Sequence, residues 1–367
     1  MKVVTENEVT EILASVIVPD KNDNVINLGL ISGIVVKDRM VHIMVETTQK
    51  RAPIMEEVRK ECEKLAGNIP GIINATAVLT EERETTKVNE SPNPKLDLTE
   101  DERRIKSKGV SSIIAVASGK GGVGKSTTSV NIALALSRLG KKVGIMDADI
   151  YGPSIPRMMG ITGQPRSEDG TTLIPMENYD VKCMSMGFMV PEEEPTIWRG
   201  PMVMSALEQM LRDVEWAPLD ILVVDMPPGT GDAQLTMAQG TELAGAIIVS
   251  TPQDIALLDA RKGLNMFRQV EVPIIGLIEN MSYYICPKCG DEAHIFDNGG
   301  AKKTAEKYGC TFLGEIPLDK EIRTTSDAGR PIVVSKTSSP HAKAYMDIAA
   351  KVIIEIDQLD KGSEKNN

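Results

Sequence analysis

The sequence predicts an α/β fold, in which a domain with a mostly parallel sheet follows a smaller α/β domain. The first observation is a series of short apolar runs separated by helix-length segments, as in sheets whose strands are buried on both faces. These runs are residues 113–117, 142–146, 219–225, 245–251 and 273–279. The second observation is a polar stretch at 84–109, dense in charge and without an apolar run, which divides this pattern from a shorter one before it.

Four segments follow from this change in composition. We expect the small α/β domain at 1–83, a polar linker at 84–109, the larger domain at 110–358 and a polar tail at 359–367. The spacing of apolar residues predicts the elements of the small domain, which are helices around 9–16 and 58–66, a strand pair at 31–36 and 41–45, and a third strand at 72–79.

Composition narrows the possible functions. The chain has 367 residues, of which 41% are hydrophobic, enough for a large core. Its net charge of −11 argues against general nucleic-acid binding, which needs a basic face. No apolar stretch approaches the length of a membrane span, and the acidic N-terminus does not resemble a signal peptide. Five cysteines without such a signal fit a reducing cytoplasm, where we expect the protein to act.

A glycine-rich loop follows the first apolar run of the larger domain. Residues 119–126 read GKGGVGKS, which fits the G-x-x-x-x-G-K-S pattern of a P-loop between a strand and a helix. The inner glycines allow a tight backbone whose N–H groups point at phosphate oxygens. Lys125 is expected to hold the β- and γ-phosphates, and Ser126 to ligate Mg²⁺. The sequence therefore predicts a nucleotide site here.

Carboxylates follow two of the other predicted strands. The run 219–225 ends in Asp225, an arrangement in which the carboxylate binds Mg²⁺ directly or through water. Asp147 and Asp149 come directly after the run 142–146. Ligands of parallel sheets bind at the carboxyl ends of the strands, so we expect these side chains near the P-loop. The alternative for Asp147 and Asp149 is a purely local capping role.

A second candidate site is the sequence Cys286-Pro287-Lys288-Cys289. This C-x-x-C spacing brings two thiolates close enough to share a metal ion or a cluster. Two ligands are too few, because zinc ions and iron–sulfur clusters usually have four protein ligands. The sequence leaves open an iron–sulfur cluster, a zinc site that includes His294, a redox disulfide and a structural pair without metal.

These motifs resemble those of a known family. The second lysine in the loop, Lys120, resembles the deviant Walker A motif of the MinD/ParA and nitrogenase-reductase class of P-loop ATPases. The motifs GKGGVGKST, DADIYGPS, DMPPGTGD, ENMSYYICPKCG and GEIPLD, spread over about 110–355, together resemble the Mrp/ApbC family of iron–sulfur cluster carriers within the MinD/ParA type. Residues 1–83 resemble the small iron–sulfur-assembly domain that often precedes this ATPase.

The resemblance implies a homodimer that holds a 4Fe–4S cluster on Cys286 and Cys289 of both chains and transfers it to apoproteins. It also implies slow, Mg²⁺-dependent ATP hydrolysis, in which Lys120 reaches the partner's nucleotide and Asp149 positions the attacking water. Asp147 would support the metal. Asn280 would read the base. The ATP-binding residues expected are Gly119, Lys120, Gly121, Gly122, Val123, Gly124, Lys125, Ser126, Thr127 and Asn280.

The sequence departs from the family pattern in the small domain. Stand-alone relatives of that domain have a cysteine in a Thr-Pro-Gly-Cys-Pro segment, whereas residues 47–53 here read TTQKRAP. We therefore expect the small domain to serve in docking or regulation rather than in metal chemistry. The remaining alternative for the whole chain is a zinc-bridged dimeric P-loop ATPase that acts as a scaffold or chaperone.

Overall fold

The structure is a computed structural model that describes residues 6–19, 21, 23–28, 30–37, 40–47, 52–69, 72, 74–81, 104–167, 169–189 and 200–364. The chain divides into two compact units, one containing the described residues up to 81 and the other those from 104 onward. Most of the predicted linker, residues 84–103, and residues 365–367 of the predicted tail lie outside this range. No helix in the described part of the chain has the length and apolarity needed to cross a bilayer.

The first unit is a three-stranded sheet covered by helices. Its elements are α1 (Glu6–Leu13), β1 (Ile17–Val18), β2 (Asp23–Asn24), β3 (Ile31–Lys37), β4 (Met40–Thr47), α2 (Ala52–Gly67) and β5 (Asn74–Glu81). Strands β3 and β4 are antiparallel, and β4 and β5 are parallel. The core contains fully buried side chains from each layer, such as Leu13, Ile43, Met55 and Cys62, because the apolar residues of α1 and α2 face the sheet.

The second unit is built on an eight-stranded sheet. The strands of this sheet are β6 (Val110–Ala117), β7 (Val143–Asp147), β8 (Met176–Asn178), β9 (Val181–Ser185), β10 (Leu219–Asp225), β11 (Gly245–Ser250), β12 (Ile274–Asn280) and β15 (Phe312–Ile316). Two short strands of the unit outside this sheet are β13 (Tyr284–Ile285) and β14 (Glu292–Ala293). Its helices are α3 (Lys125–Arg138), α4 (Ile155–Met158), α5 (Gly200–Arg212), α6 (Asp232–Gly240), α7 (Asp254–Gln269), α8 (Gly300–Tyr308), α9 (Lys320–Asp327), α10 (Ile332–Ser335) and α11 (Pro340–Glu364), with a 3-10 turn at Met186–Phe188.

The prediction of a mostly parallel sheet is confirmed. The strand order is β15-β12-β11-β6-β10-β7-β9-β8, and β8 alone in this sheet runs antiparallel to its neighbour. The central strands β6, β7, β10 and β11 are buried along almost their whole length, which explains why they read as continuous apolar runs. The separate pair β13–β14 forms a small hairpin between β12 and α8.

The carboxyl ends of the central strands bring the candidate site together. Asp225 is the last residue of β10, and its register partners are Asp147 at the end of β7 and Val116 near the end of β6. The glycine-rich loop leaves the same end of β6 and leads into α3. Two predicted carboxylates and the P-loop therefore share one edge of the sheet, as the strand pattern predicts.

The packed part of the second unit extends past both expected boundaries. Ile105 is buried and pairs with Thr241, and the Ser107 hydroxyl donates a hydrogen bond to Leu211 O at 2.8 Å. The described end of the linker, residues 104–109, thus contacts this unit. Helix α11 continues to Glu364, so 359–364 of the predicted tail are helical.

Candidate functional site

The P-loop has the backbone geometry that its glycines predict. Gly122 and Gly124 both have φ of +82°, in the left-handed region where a side chain is strained. Gly119 meets a different constraint, because a Cβ there would lie 2.2 Å from the backbone carbonyl of Asp259 in α7. The P-loop therefore leads into α3 at one end and packs against α7 at the other.

Lys125 forms a buried ion pair with Asp225. Its Nζ lies 2.7 Å from Asp225 Oδ1, and the two side chains are 6% and 0% exposed. Lys125 Nζ also donates to Ser126 Oγ at 3.1 Å, and the Ser129 hydroxyl donates to Asp225 Oδ1 at 2.6 Å. The ammonium group is thus fixed at the start of α3, beside the loop whose N–H groups would bind phosphate.

The second carboxylate oxygen of Asp225 bears on whether this site fits a Mg²⁺ ion. Asp225 Oδ2 is buried and has no hydrogen-bond partner among the described residues. Buried carboxylate oxygens are almost always paired, so an unpaired one needs a ligand. Mg²⁺ prefers oxygen ligands and is usually held by one or two protein groups together with phosphate and water. Asp225 with the nearby Ser126 hydroxyl is a donor set that fits this ion.

Asp147 acts on its neighbours through hydrogen bonds. Its oxygens accept hydrogen bonds from the backbone N–H groups of Asp149, Ser154 and Ile155 at 3.0–3.2 Å, and from the Ser185 hydroxyl at 3.2 Å. Burial, followed by the charge of Asp225, raises the pKa of Asp147 to about 7. These contacts hold the 148–155 segment against the sheet. The metal-supporting role expected for Asp147 stays a prediction.

Asp149 lines the cavity in front of the P-loop. This cavity of about 450 Å³ is lined by Ser118, Gly121, Gly122, Gly124, Lys125, Ser126, Thr127, Asp149, Ser154, Arg157, Met158, Pro228 and Asp327. Burial raises the pKa of the Asp149 carboxyl, and the charge of Lys125 opposes this effect. The cavity thus brings the predicted water-positioning carboxylate to the same space as Lys125 and Ser126.

Lys120 and Thr127 are less buried than Lys125. The backbone carbonyl of Lys120 accepts a hydrogen bond from the Ser118 hydroxyl at 2.9 Å, whereas its ammonium group forms no ion pair with the described residues. Thr127 is partly buried, and its hydroxyl lies 3.8 Å from Met158 Sδ. Among the residues that the structure describes, the Lys120 side chain thus has no charged partner.

Asn280 braces the P-loop. Its Nδ2 donates to Val123 O at 2.8 Å, and its Oδ1 accepts a hydrogen bond from Met281 N at 3.0 Å. The side chain also lines a second cavity of about 490 Å³, which shares Gly124, Thr127, Met158 and Asp327 with the phosphate cavity. Asn280 is therefore placed beside the nucleotide site, and base recognition by it stays a prediction.

Cys286 and Cys289 lie on the hairpin formed by β13 and β14. Cys286 N donates to Asp291 O, and Gly290 N donates to Cys286 O, both at 2.8 Å. Backbone N–H groups of Cys289 and Lys288 donate to the Cys286 sulfur and lower the pKa of its thiol. Cys289 is exposed, and neither thiol forms a disulfide. The turn therefore presents two accessible sulfurs, one of them favoured as a thiolate.

The described residues supply no third ligand to this pair. In the described part of the chain, three potential ligand atoms lie within 4.8 Å of one another only at Asp319, Glu321 and His341. His294 does not join the two thiols; its Nδ1 lies 3.0 Å from Asn298 Nδ2 and 3.4 Å from Ser282 O. A four-ligand site on Cys286 and Cys289 needs ligands from outside this part of the chain.

The sequence motifs do not identify two residues that the structure places at the site. Ser129 contacts Asp225, and the only sequence hint is a hydroxyl one helical turn after Ser126 on α3. Glu279 is 0% exposed, and the hint is a charged residue inside an otherwise apolar strand.

The fold and this site define a P-loop nucleotide-binding protein with an attached thiol pair. The chain belongs to the family described as the NUBPL iron-transfer P-loop NTPase, whose model matches residues 109–353. A second model, for the iron-sulfur cluster assembly protein, matches residues 6–78. Both matches agree with the resemblance described above, including the small N-terminal domain.

Individual relatives agree with this assignment. The "iron-sulfur cluster transfer protein NUBPL" of Dictyostelium discoideum is 54% identical over 266 residues, which are 72% of this chain and 82% of that one. The "iron-sulfur cluster carrier protein" of Escherichia coli K12 is 51% identical over 259 residues, 69% of this chain and 70% of that one. A solved nucleotide-binding protein from Archaeoglobus fulgidus in complex with ADP is 37% identical, with a TM-score of 0.56; the match covers 65% of this chain and 93% of that one.

Proposed function

We propose that the protein is a Mg²⁺-dependent ATPase that holds a 4Fe–4S cluster between two copies of this chain and transfers it to apoproteins. The observation that carries this proposal is the hairpin with Cys286 and Cys289, which offers two accessible sulfurs and no third ligand among the described residues. The names of the relatives, which describe iron–sulfur cluster transfer and iron–sulfur cluster carriers, support it.

The cluster site is completed by symmetry in this proposal. Iron–sulfur clusters are commonly held by four cysteine thiolates. Two copies related by a twofold axis would supply Cys286 and Cys289 twice. The N–H groups that lower the pKa of Cys286 favour the thiolate that binds iron. Because each copy would supply half of the ligands, a change in how the two copies pack would change the affinity for the cluster.

ATP would bind across the P-loop in front of Lys125. The loop N–H groups, the start of α3 and the Lys125 ammonium would neutralise the phosphates, and Ser126 and Asp225 would hold Mg²⁺. When bound, Mg²⁺ supplies charge stabilisation for phosphoryl transfer. Asp149, on the wall of the same cavity, would orient the attacking water. Lys120, without a charged partner in the described chain, would reach the nucleotide of the other copy.

The compartment belongs to the same proposal. The reducing cytoplasm that the cysteine content predicts would keep Cys286 and Cys289 as thiols, available for cluster binding. The recipients would be apoproteins that lack their cluster. The proposal involves neither a nucleic acid nor a membrane as a partner.

A zinc-bridged dimer is the second candidate, because four thiolates also suit tetrahedral zinc. The same two sulfurs of each copy would then bind one zinc ion and link the two copies into a dimeric ATPase that acts as a scaffold or chaperone. The two candidates differ in the inorganic content of the thiol site, so a direct count separates them.

The experiment is anaerobic purification and reconstitution with iron and sulfide, followed by counting iron, acid-labile sulfide and zinc per dimer. We expect about four iron and four sulfide per dimer with visible absorption. Both should be lost in Cys286→Ala/Cys289→Ala. The control is Cys310→Ala, which removes a half-buried cysteine outside the hairpin and should keep the cluster. Stoichiometric zinc without sulfide would overturn the carrier proposal in favour of the zinc-bridged dimer.

A further inference from the structure

The segment that carries the cysteine pair begins and ends at one buried carboxylate, Glu279. Its Oε1 accepts hydrogen bonds from the Ser282 hydroxyl at 2.7 Å and from Gly299 N at 2.9 Å. Its Oε2 accepts a hydrogen bond from Ala301 N at 2.6 Å, at the start of α8. Residues 283–298, including the hairpin, lie between these contacts. The carboxylate therefore closes the base of the hairpin segment.

The environment of Glu279 is suited to a fixed anion. The residue is 0% exposed. Two of its three donors are backbone N–H groups, Gly299 N and Ala301 N, at the N-terminus of α8, where the helix dipole favours negative charge. Charge-assisted hydrogen bonds of this kind are stronger than neutral ones. The three contacts hold both ends of the hairpin segment at a defined place relative to β12.

The next residue along β12 makes the contact with the P-loop. Asn280 donates to Val123 O from the opposite face of the strand, because successive side chains alternate across a sheet. Met281 follows with φ of +58°, a left-handed conformation that is unusual for a bulky residue. Two neighbouring side chains thus fasten the end of β12 to the phosphate loop on one side and to the cysteine segment on the other.

We infer that Glu279 is a positioning residue that transmits the nucleotide state of the P-loop to the cysteine pair through the Glu279–Asn280 end of β12. The inference rests on the proposed function for its biological use. The physical claim is narrower: nucleotide that moves the Val123 carbonyl moves Asn280, and Glu279 passes this movement to both ends of the hairpin segment. Coupling of this kind requires the two sites to bias one shared element.

The test measures thiols rather than clusters, so that it does not depend on the carrier proposal. Cluster-free protein is alkylated with iodoacetamide with and without Mg-ATP, and the rates at Cys286 and Cys289 are followed on their peptide by mass spectrometry. We expect ATP to change these rates at least about fivefold in the unmodified protein. In Glu279→Gln the alkylation rates with and without Mg-ATP should become about equal. ATP affinity should be retained, because Asn280 is untouched.

The matched control is Glu315→Gln. Glu315 is the register partner of Glu279 on β15, and its side chain makes no hydrogen bond within the described residues. This variant should keep the full nucleotide effect. If Glu279 only stabilised the hairpin, its replacement would change the alkylation rates with and without Mg-ATP by the same factor. The ratio of the rate with Mg-ATP to the rate without it would then stay unchanged, so this ratio distinguishes transmission from simple stabilisation.

Two results with the unmodified protein and Glu279→Gln would overturn the inference. One is a full nucleotide effect in Glu279→Gln, and the other is no nucleotide effect in the unmodified protein. The iron and sulfide count is independent of both. If Glu279→Gln does not fold, Ser282→Ala removes one of the three donors and keeps the charge. It should reduce the nucleotide effect, and an unchanged effect in that variant would also overturn the inference.

Discussion

Lys125 and Asp225 show how the nucleotide site contributes to stability as well as to binding. Each is buried, and each neutralises the other at 2.7 Å. Removing one partner of such a pair leaves an uncompensated buried charge, which costs more than the pair itself contributes. The phosphate-binding lysine is therefore also the counter-ion of the predicted Mg²⁺ ligand.

We predict that Lys125→Met lowers the free energy of unfolding by about 3–5 kcal/mol, because Asp225 is left unpaired. The double variant Lys125→Met/Asp225→Asn should recover most of this loss, since it also removes the Asp225 charge that Lys125 neutralises. Neither variant should bind ATP tightly, because both lack the phosphate-binding ammonium group. The measurement is urea unfolding of the nucleotide-free proteins beside ATP titration. A single variant as stable as the unmodified protein would contradict the ion pair.

Glu315 gives a pH-dependent prediction. Burial, and then the charge of Glu279, raises its pKa above the ordinary value of 4.5. An acid with a raised folded-state pKa destabilises the fold when ionised, and this cost vanishes as the pH falls below the unfolded-state pKa. Glu315→Gln should therefore raise stability at pH 7, by less than about 1 kcal/mol because the group is partly exposed. The gain, measured by urea unfolding, should shrink as the pH is lowered toward 4.5. A gain independent of pH would show that charge is not its cause.

At the scale of elements, the P-loop depends on its contact with α7. A methyl group on Gly119 would collide with the backbone of Asp259, which cannot turn away as a flexible side chain can. We predict that Gly119→Ala destabilises the nucleotide-free protein by about 1–3 kcal/mol, the usual cost of overpacking. The matched control is Gly121→Ala, whose Cβ would lie 4.0 Å from Pro228 Cβ, an ordinary contact. Equal melting temperatures for the two variants would contradict the packing of α7 on the loop.

The sequence predicts those elements whose pattern depends on local chemistry. The P-loop could be placed because glycine spacing and the following helix are local, and the central strands because burial on both faces produces continuous apolar runs. The strand β15 has a mixed burial pattern, and β8 is an edge strand of three residues, so neither gives a clear apolar run. The donors to Glu279 and the brace from Asn280 to Val123 depend on tertiary placement, and sequence spacing does not contain that information.

At the scale of the whole molecule, the described residues form two hydrophobic cores. The buried apolar residues of the described part up to 81 form one cluster, and those from 105 onward form another. Units with their own cores can in principle fold alone. We predict that residues 104–364 fold without the first unit and bind ATP within about twofold of the full chain. Thermal unfolding and ATP titration of this fragment check the prediction. An unfolded fragment would show that the first unit is required for the second.

The composition of mixed dimers tests whether the cluster belongs to two chains. Unmodified chains and Cys286→Ala/Cys289→Ala chains are combined at several ratios, allowed to form dimers at random, and then reconstituted with iron and sulfide. If the site needs both thiol pairs, only dimers of two unmodified chains have four thiolates. Bound iron per chain should then follow the square of the unmodified fraction, so that an equal mixture retains about one quarter of the maximum. If each chain holds its own metal, the dependence is linear and the equal mixture retains about one half. A linear result would place the metal within single chains and contradict the shared site, whatever metal is found there.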